Sequence, residues 1–78
     1  MDIAEVLQRL HDNETNGTLS WFYNGVYQWK LGSEPEWKAE GTSATLADAV
    51  RELAEAAAAE FPETPFAAWW KGQRAARH

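Results

Sequence analysis

The sequence predicts an α+β fold, in which a three-stranded antiparallel sheet is preceded by one helix and followed by two. Three patterns support this layout. Two aromatic-rich runs flank Asn24-Gly25, the strongest short-range signal of a β-hairpin. Apolar residues recur at helical spacing near the start of the chain and again after residue 45. We therefore expect one domain over 1–78, with a helix over 2–11, a three-stranded meander over 18–41, helices over 45–60 and 65–73, and a frayed tail over 74–78.

The loop length of this hairpin decides which side chains share a face of the sheet. A two-residue loop would pair Tyr23 with Val26. A three-residue loop with Gly25 in the left-handed region would instead pair Phe22 with Val26. We favour the three-residue loop closed by a glycine bulge, because it separates apolar from polar side chains. In that register one face of the hairpin carries Leu19, Trp21, Tyr27, Trp29 and Leu31.

Capping residues mark the starts of the helices. Asp2 begins a capping-box-like pattern for the first helix, and Thr45 can cap the second. Thr64-Pro65 offers a cap followed by proline at the first position of the last helix. The second helix is the most clearly patterned. We expect its apolar stripe to pack on the inner face of the sheet, with Leu53 at the centre of the contact.

A third strand is predicted between residues 36 and 41. Alternation directs Trp37 and Ala39 to one side of this strand, and Glu36, Lys38 and Glu40 to the other. The chain contains ten aromatic residues, five of them Trp, and large side chains let a short chain fill its core. We expect a core that includes Trp21, Tyr27, Trp29 and Trp37.

Charge narrows the range of partners. Residues 1–70 carry twelve acidic and four basic side chains, a net charge of −8, and three basic residues near the C-terminus bring the whole chain to −5. Phosphate binding needs clustered Lys and Arg, so we expect no direct contact with nucleic acid. An acidic surface can instead bind a basic one as a DNA mimic. The alternative is that the acidity only keeps a small protein soluble.

No set of residues predicts catalysis. The chain has no Cys, and a metal centre would need three or four converging ligands around its histidines, His11 and His78. There is no nucleophile elbow, phosphate loop or dinucleotide fingerprint. We therefore expect neither an enzyme nor a cofactor. The sequence also lacks an export leader and an apolar run of roughly 18 residues, so no membrane contact is expected.

Two kinds of side chain are candidate contacts for a protein partner. Phe22 and Val26 are apolar residues at the hairpin tip, exposed unless the N-terminal helix covers them. Trp70 is a further candidate, because Trp69 and Trp70 cannot both point inward on one short helix. The remaining candidates are acidic and are predicted to face water along the third strand and the second helix. They are Glu36, Glu40, Asp48, Glu52 and Glu55.

Parts of the chain resemble two known groups of proteins. The strand-to-helix junction of HicB-type antitoxins resembles Gly41-Thr42 followed by Thr45-Leu46-Ala47-Asp48-Ala49-Val50, a resemblance that covers about a third of the chain. Small proteins carried by phages and prophages resemble nearly the whole chain. Their similarity lies in Leu10-His11-Asp12-Asn13-Glu14, Ser20-Trp21-Phe22-Tyr23-Asn24-Gly25 and Lys30-Leu31-Gly32.

The phage resemblance implies a function. Anti-CRISPR proteins belong to this pool of short, acidic, cysteine-poor proteins. The implied role is an inhibitor that occupies a basic nucleic-acid-binding surface of a CRISPR surveillance complex in the cytoplasm of a bacterial host. The HicB-like junction implies, as an alternative, an antitoxin or another phage regulatory partner. In both cases we expect a monomer or weak dimer that acts on a protein partner.

Overall fold

The structure of the protein is a computed structural model that describes residues 1–76. One helix precedes a three-stranded antiparallel sheet of order β1-β2-β3, and two helices follow it, which confirms the α+β layout. The elements are α1 (Ile3–Asp12), β1 (Gly17–Trp21), β2 (Tyr27–Ser33), β3 (Glu36–Ser43), α2 (Leu46–Glu60) and α3 (Pro65–Ala76).

The hairpin between β1 and β2 has the predicted register. Trp21 pairs with Tyr27 as the last row of the ladder, which places Phe22 across from Val26. The Gly25 N–H donates to the Phe22 carbonyl at 3.0 Å and closes a four-residue turn. The predicted left-handed conformation of Gly25 was wrong, because its φ is not positive. Gly25 occupies the last position of the turn, where the backbone does not require a positive φ.

Helix α2 packs on the inner face of the sheet against β2 and β3. Its buried residues include Val50 and Leu53, which meet Trp29 and Leu31 of the middle strand in one core cluster. The predicted central position of Leu53 is confirmed, since only 4% of its surface is exposed. Thr45 caps α2 as predicted, its hydroxyl accepting from the Asp48 N–H.

A bulge in β3 changes which side chains point inward. Leu31 pairs with Ala39, but the next residue of β2, Gly32, pairs with Trp37, so Lys38 is an extra residue in β3. Ala39 packs against the core as predicted. Trp37 is moved to the outer face, so the prediction that it belongs to the core was wrong. The same shift separates Glu36 and Glu40, which pair with residues of opposite faces.

Helices α1 and α3 are joined at the end of α1. The Asn13 side chain donates to the Arg9 carbonyl at 2.7 Å and accepts from the Phe66 N–H at 3.1 Å. The Asn13 side chain therefore caps the C-terminus of α1 and also accepts a hydrogen bond from the Phe66 N–H, which has no partner within α3. Helix α3 continues to Ala76, so the frayed tail predicted from residue 74 was wrong for 74–76. The rest of that tail, 77–78, lies outside the described residues.

Removing the Leu53 side chain should destabilise the fold strongly. Leu53→Ala leaves a cavity between α2 and β2 and should lower the free energy of unfolding by about 2–5 kcal/mol. Urea denaturation followed by tryptophan fluorescence measures this change. Leu7→Ala, at a residue that is exposed in α1, is the matched control and should shift the midpoint much less. Equal shifts for the two variants would contradict the central packing of Leu53.

Two glycines should respond oppositely to the same substitution. A Cβ at Gly41 would lie 2.8 Å from the Trp29 indole, whereas one at Gly25 would lie 3.7 Å from the Phe22 Cβ. Gly41→Ala must displace the indole and should cost about 1–3 kcal/mol. Gly25→Ala should be neutral or stabilising by up to about 1 kcal/mol, since it restricts the unfolded chain without strain. Thermal unfolding of both variants tests this contrast.

Candidate protein-binding site

The tip of the β1–β2 hairpin is the most exposed apolar part of the described chain. The exposed fractions are 63% for Trp21, 70% for Phe22, 100% for Tyr23 and 47% for Val26. The tip is uncovered because Tyr27 is the last residue of β2 that pairs with β3, so the hairpin extends past the third strand. The predicted exposure of Phe22 and Val26 is confirmed. Trp21 was predicted in the core, but it lies at the free corner of the sheet.

The outer face of the sheet is polar, with one aromatic side chain. Lys30 lies between Thr18 and Glu40 in the register of the three strands. Its Nζ is 5.1 Å from the centroid of the Trp37 ring, a cation–π contact. Alternation alone could not reveal this pair, because the bulge at Lys38 places Trp37 on the same side as Lys30. Glu40 is exposed on this face.

Glu52 is a structural residue that joins α2 to the sheet. Its carboxylate accepts from the Trp29 indole N–H at 3.1 Å and from the Ser43 hydroxyl at 2.6 Å. These hydrogen bonds, that from Ser43 first, lower the pKa of Glu52 below its ordinary value. The prediction that Glu52 faces water was wrong. Helical periodicity did not show that this edge of α2 faces two donors of the sheet.

The other acidic candidates on α2 are paired with arginines. Arg51 Nη2 lies 3.0 Å from Asp48, and Arg74 Nη1 lies 3.6 Å from Glu55. The Arg51 guanidinium, followed by the Thr45 hydroxyl, lowers the pKa of Asp48. The negative charge of α2 is thus offset locally, and the like-charge spacing along the helix does not form an open acidic face.

One of the two tryptophans of α3 is partly exposed, as predicted, but it is not Trp70. Trp70 is buried, with 5% of its surface exposed, and its ring stacks on Phe66 at a centroid distance of 6.3 Å. Its selection as an exposed contact was therefore wrong. Trp69 is the partly exposed member of the pair. Arg9 covers it, with the guanidinium carbon 4.4 Å from the ring centroid.

Acidic side chains also gather at the end of the sheet opposite the hairpin tip. Glu14, Glu34 and Glu36 line a groove of about 460 Å³ together with Lys38. Glu36 reaches this groove because the bulge directs it away from the face of Glu40. The sequence did not link Glu14 to this group, since Glu14 follows α1 and meets the β2–β3 turn only in the folded chain. The predicted acidic residues therefore lie in separate places.

The described residues 1–76 contain no cluster of three or more His, Cys, Asp or Glu that could hold a metal ion. No helix in that same part of the chain is long and apolar enough to cross a membrane. Comparisons with protein-family models, with curated proteins and with solved structures find no match to this chain. Among the described residues, the hairpin tip has the geometry best suited to binding a partner.

Replacing the Glu52 carboxylate should change how stability depends on pH. Glu52→Gln loses the charge that accepts two hydrogen bonds and should cost about 1–3 kcal/mol at pH 7. The folded-state pKa lies below the ordinary value of 4.5, so the stabilisation is present above the unfolded-state pKa and is lost as the pH falls through the folded-state pKa. The stabilities of the wild type and the variant should therefore converge as the pH falls through the folded-state pKa of Glu52. Glu60→Gln, at an exposed position of the same helix, is the control, and an equally small effect of both substitutions at pH 7 would refute the structural role.

Proposed function

We propose that this chain is a protein-binding domain whose β1–β2 hairpin tip, formed by Phe22, Tyr23 and Val26, inserts into an apolar pocket of a basic partner. The observation that carries the proposal is the exposure of these three large side chains at one turn. Exposed aromatic residues held on a rigid turn lose little entropy when they become buried, and they often dominate binding energies. The turn is held by the regular ladder of β1 and β2 beneath it.

Charge supports a protein partner over a phosphate-bearing one. The chain carries a net charge of −5, and Lys30, the basic residue of the outer face, is already placed over Trp37. A nucleic acid or an anionic lipid surface would be repelled by this balance. A basic protein surface would be attracted, and the scattered carboxylates would accelerate its approach without each requiring a specific partner.

The partner class proposed is a basic groove that a host defence complex uses to hold nucleic acid. In this role the chain is an inhibitor of the anti-CRISPR kind: it competes with DNA for an RNA-guided surveillance complex. Long-range attraction brings the acidic protein to the groove, and the hairpin tip anchors it there. Glu36 and Glu40 are both exposed, and their carboxylates have no ion pair among the described residues.

The alternative, a HicB-like antitoxin, is less well supported. The residues that carry that resemblance are largely structural in this chain: Gly41 lies beneath Trp29, Thr45 caps α2, and Ala49 and Val50 are buried. They form the junction between the sheet and the helix, and they leave little surface for a toxin to contact.

Truncating the hairpin tip should abolish binding without unfolding the protein. In Phe22→Ala/Val26→Ala the lost side chains are exposed, so the urea midpoint should change little. Competition with DNA for a purified surveillance complex should weaken by about tenfold or more. Retention of full competition by this variant would contradict the role of the tip.

Charge-reversal variants distinguish long-range electrostatic attraction of the partner from direct contact at the hairpin tip. Glu36→Lys/Glu40→Lys should slow association, and the difference from wild type should shrink at high salt because the attraction is screened. Glu60→Lys/Glu63→Lys reverses two exposed charges, one at the last residue of α2 and one in the turn that follows, and is matched in net charge. If both double variants slow association equally, only net charge matters and Glu36 and Glu40 make no specific contact.

A further inference from the structure

Strand β1 is an open edge of the sheet without the usual protection. Its five residues include no charged side chain, no proline and no bulge. The other edge strand, β3, carries Glu36, Lys38, Glu40 and a bulge, which are devices that prevent strands of separate molecules from pairing. Four of the five β1 residues are exposed. Of the two edge strands, β3 therefore has features that prevent pairing with another molecule and β1 has none, so β1 is the edge available for pairing.

The hydrogen-bond pattern shows which groups of β1 point away from the sheet. The Gly32 N–H donates to the Asn16 carbonyl at 2.7 Å, which makes Asn16 and Gly32 a hydrogen-bonded pair. Such pairs alternate along an antiparallel ladder with pairs whose N–H and C=O groups point outward. In β1 the outward groups consequently belong to Gly17, Leu19 and Trp21.

We infer that two copies of this chain pair through β1 in antiparallel orientation, with Leu19 opposite Leu19 of the second copy. This register places Gly17 opposite the second copy's Trp21, so that every outward N–H and C=O of the three residues faces a matching group. The two-fold axis crosses the strands at Leu19, and the two sheets become one sheet of six strands. An interface of this kind uses the same patch on both copies.

The shape of the surface around β1 indicates that the strand pairing with it belongs to a second copy of this chain. A groove of about 240 Å³ between α1 and β1 is lined by five leucines, among them Leu7, Leu10 and Leu53, by Gly17 and by four polar residues. Trp21 lies two residues beyond the centre of the strand, and Gly17 lies two residues before it. The antiparallel register brings the exposed Trp21 indole of each copy onto Gly17 of the other, on the side that carries the groove. The projecting indole and the glycine that receives it thus both belong to β1, while α1 and α2 supply leucines around the space.

Charge and area indicate a weak, concentration-dependent dimer. The acidic groove of Glu14, Glu34 and Glu36 includes residues of the β2–β3 turn rather than β1, so pairing at β1 brings no strand carboxylates face to face. Burying the exposed parts of two Trp21 side chains removes roughly 200–300 Å² of surface. With one short strand from each copy, the total falls near the lower end for specific interfaces. Because each copy carries a charge of −5, added salt should strengthen the association.

Paired charges on the outer face of β1 test the register. In the proposed dimer Thr18 lies opposite Ser20 of the second copy, and Thr18 also lies opposite Lys30 within its own sheet. Thr18→Glu/Ser20→Glu places like charges opposite each other twice and should weaken dimerisation at least tenfold. Thr18→Glu/Ser20→Lys differs at one position, places opposite charges together twice, and should dimerise at least as well as wild type. Sedimentation equilibrium over a wide concentration range measures all three proteins.

The contribution of the Trp21 indole to dimerisation is tested with a second pair of variants. Trp21→Ala should weaken dimerisation at least tenfold, whereas Tyr23→Ala, which removes a fully exposed aromatic outside the ladder, should leave it unchanged. Urea unfolding of each variant shows that the fold is retained. A wild-type protein that stays monomeric up to millimolar concentration overturns the inference. So does a dimer that tolerates Thr18→Glu/Ser20→Glu, since it must form elsewhere. Loss of partner binding by the hairpin-tip variant with normal dimerisation would leave this inference standing, so the two proposals fail independently.

Discussion

The indole of Trp29 sets the distance between the sheet and α2. It occupies the space above Gly41 on the neighbouring strand and donates its N–H to Glu52 of the helix. A side chain at position 41 would lift the ring, and a ring out of place would leave the Glu52 carboxylate with one donor fewer. Leu53 and Val50 follow Trp29 into the core, and α1 and α3 then pack on the helix that this contact has positioned.

Local rules account for what the sequence predicted correctly. The hairpin register follows from the facial separation of Leu19, Trp29 and Leu31 from polar neighbours, and the starts of the helices follow from Asp2 and Thr45. The error at Trp37 has a different origin. A strand pattern of period two assumes an unbroken ladder, and one extra residue at Lys38 reverses the face of every side chain on one side of it.

The binding surface was only partly predictable for a related reason. A helical pattern shows that Glu52 lies outside the apolar stripe of α2. It cannot show that the Trp29 N–H and the Ser43 hydroxyl of the sheet lie within hydrogen-bond distance of this side chain. The sequence of α3 likewise does not reveal which of its two tryptophans is buried. That depends on tertiary contacts, because Trp70 stacks on Phe66 in the core whereas Trp69 lies under Arg9. The tip residues Phe22 and Val26 were identified because an Asn-Gly turn between aromatic residues is a local signal. The acidic residues of α2 are engaged by arginines or by donors of the sheet, so they do not form an open acidic surface. The hairpin tip is exposed instead.

The link from Asn13 to Phe66 spans 53 residues of sequence and has a consequence for the order of folding. During synthesis α1 is made before the sheet, α2 and α3. The Phe66 N–H that binds Asn13 and the Trp69 ring that Arg9 covers therefore become available last. The entropy of closing so long a loop is recovered only when the sheet and α2 have already brought the ends together. The first helix made is thus among the last to dock, and the chain should fold as one cooperative unit rather than from its N-terminus onward.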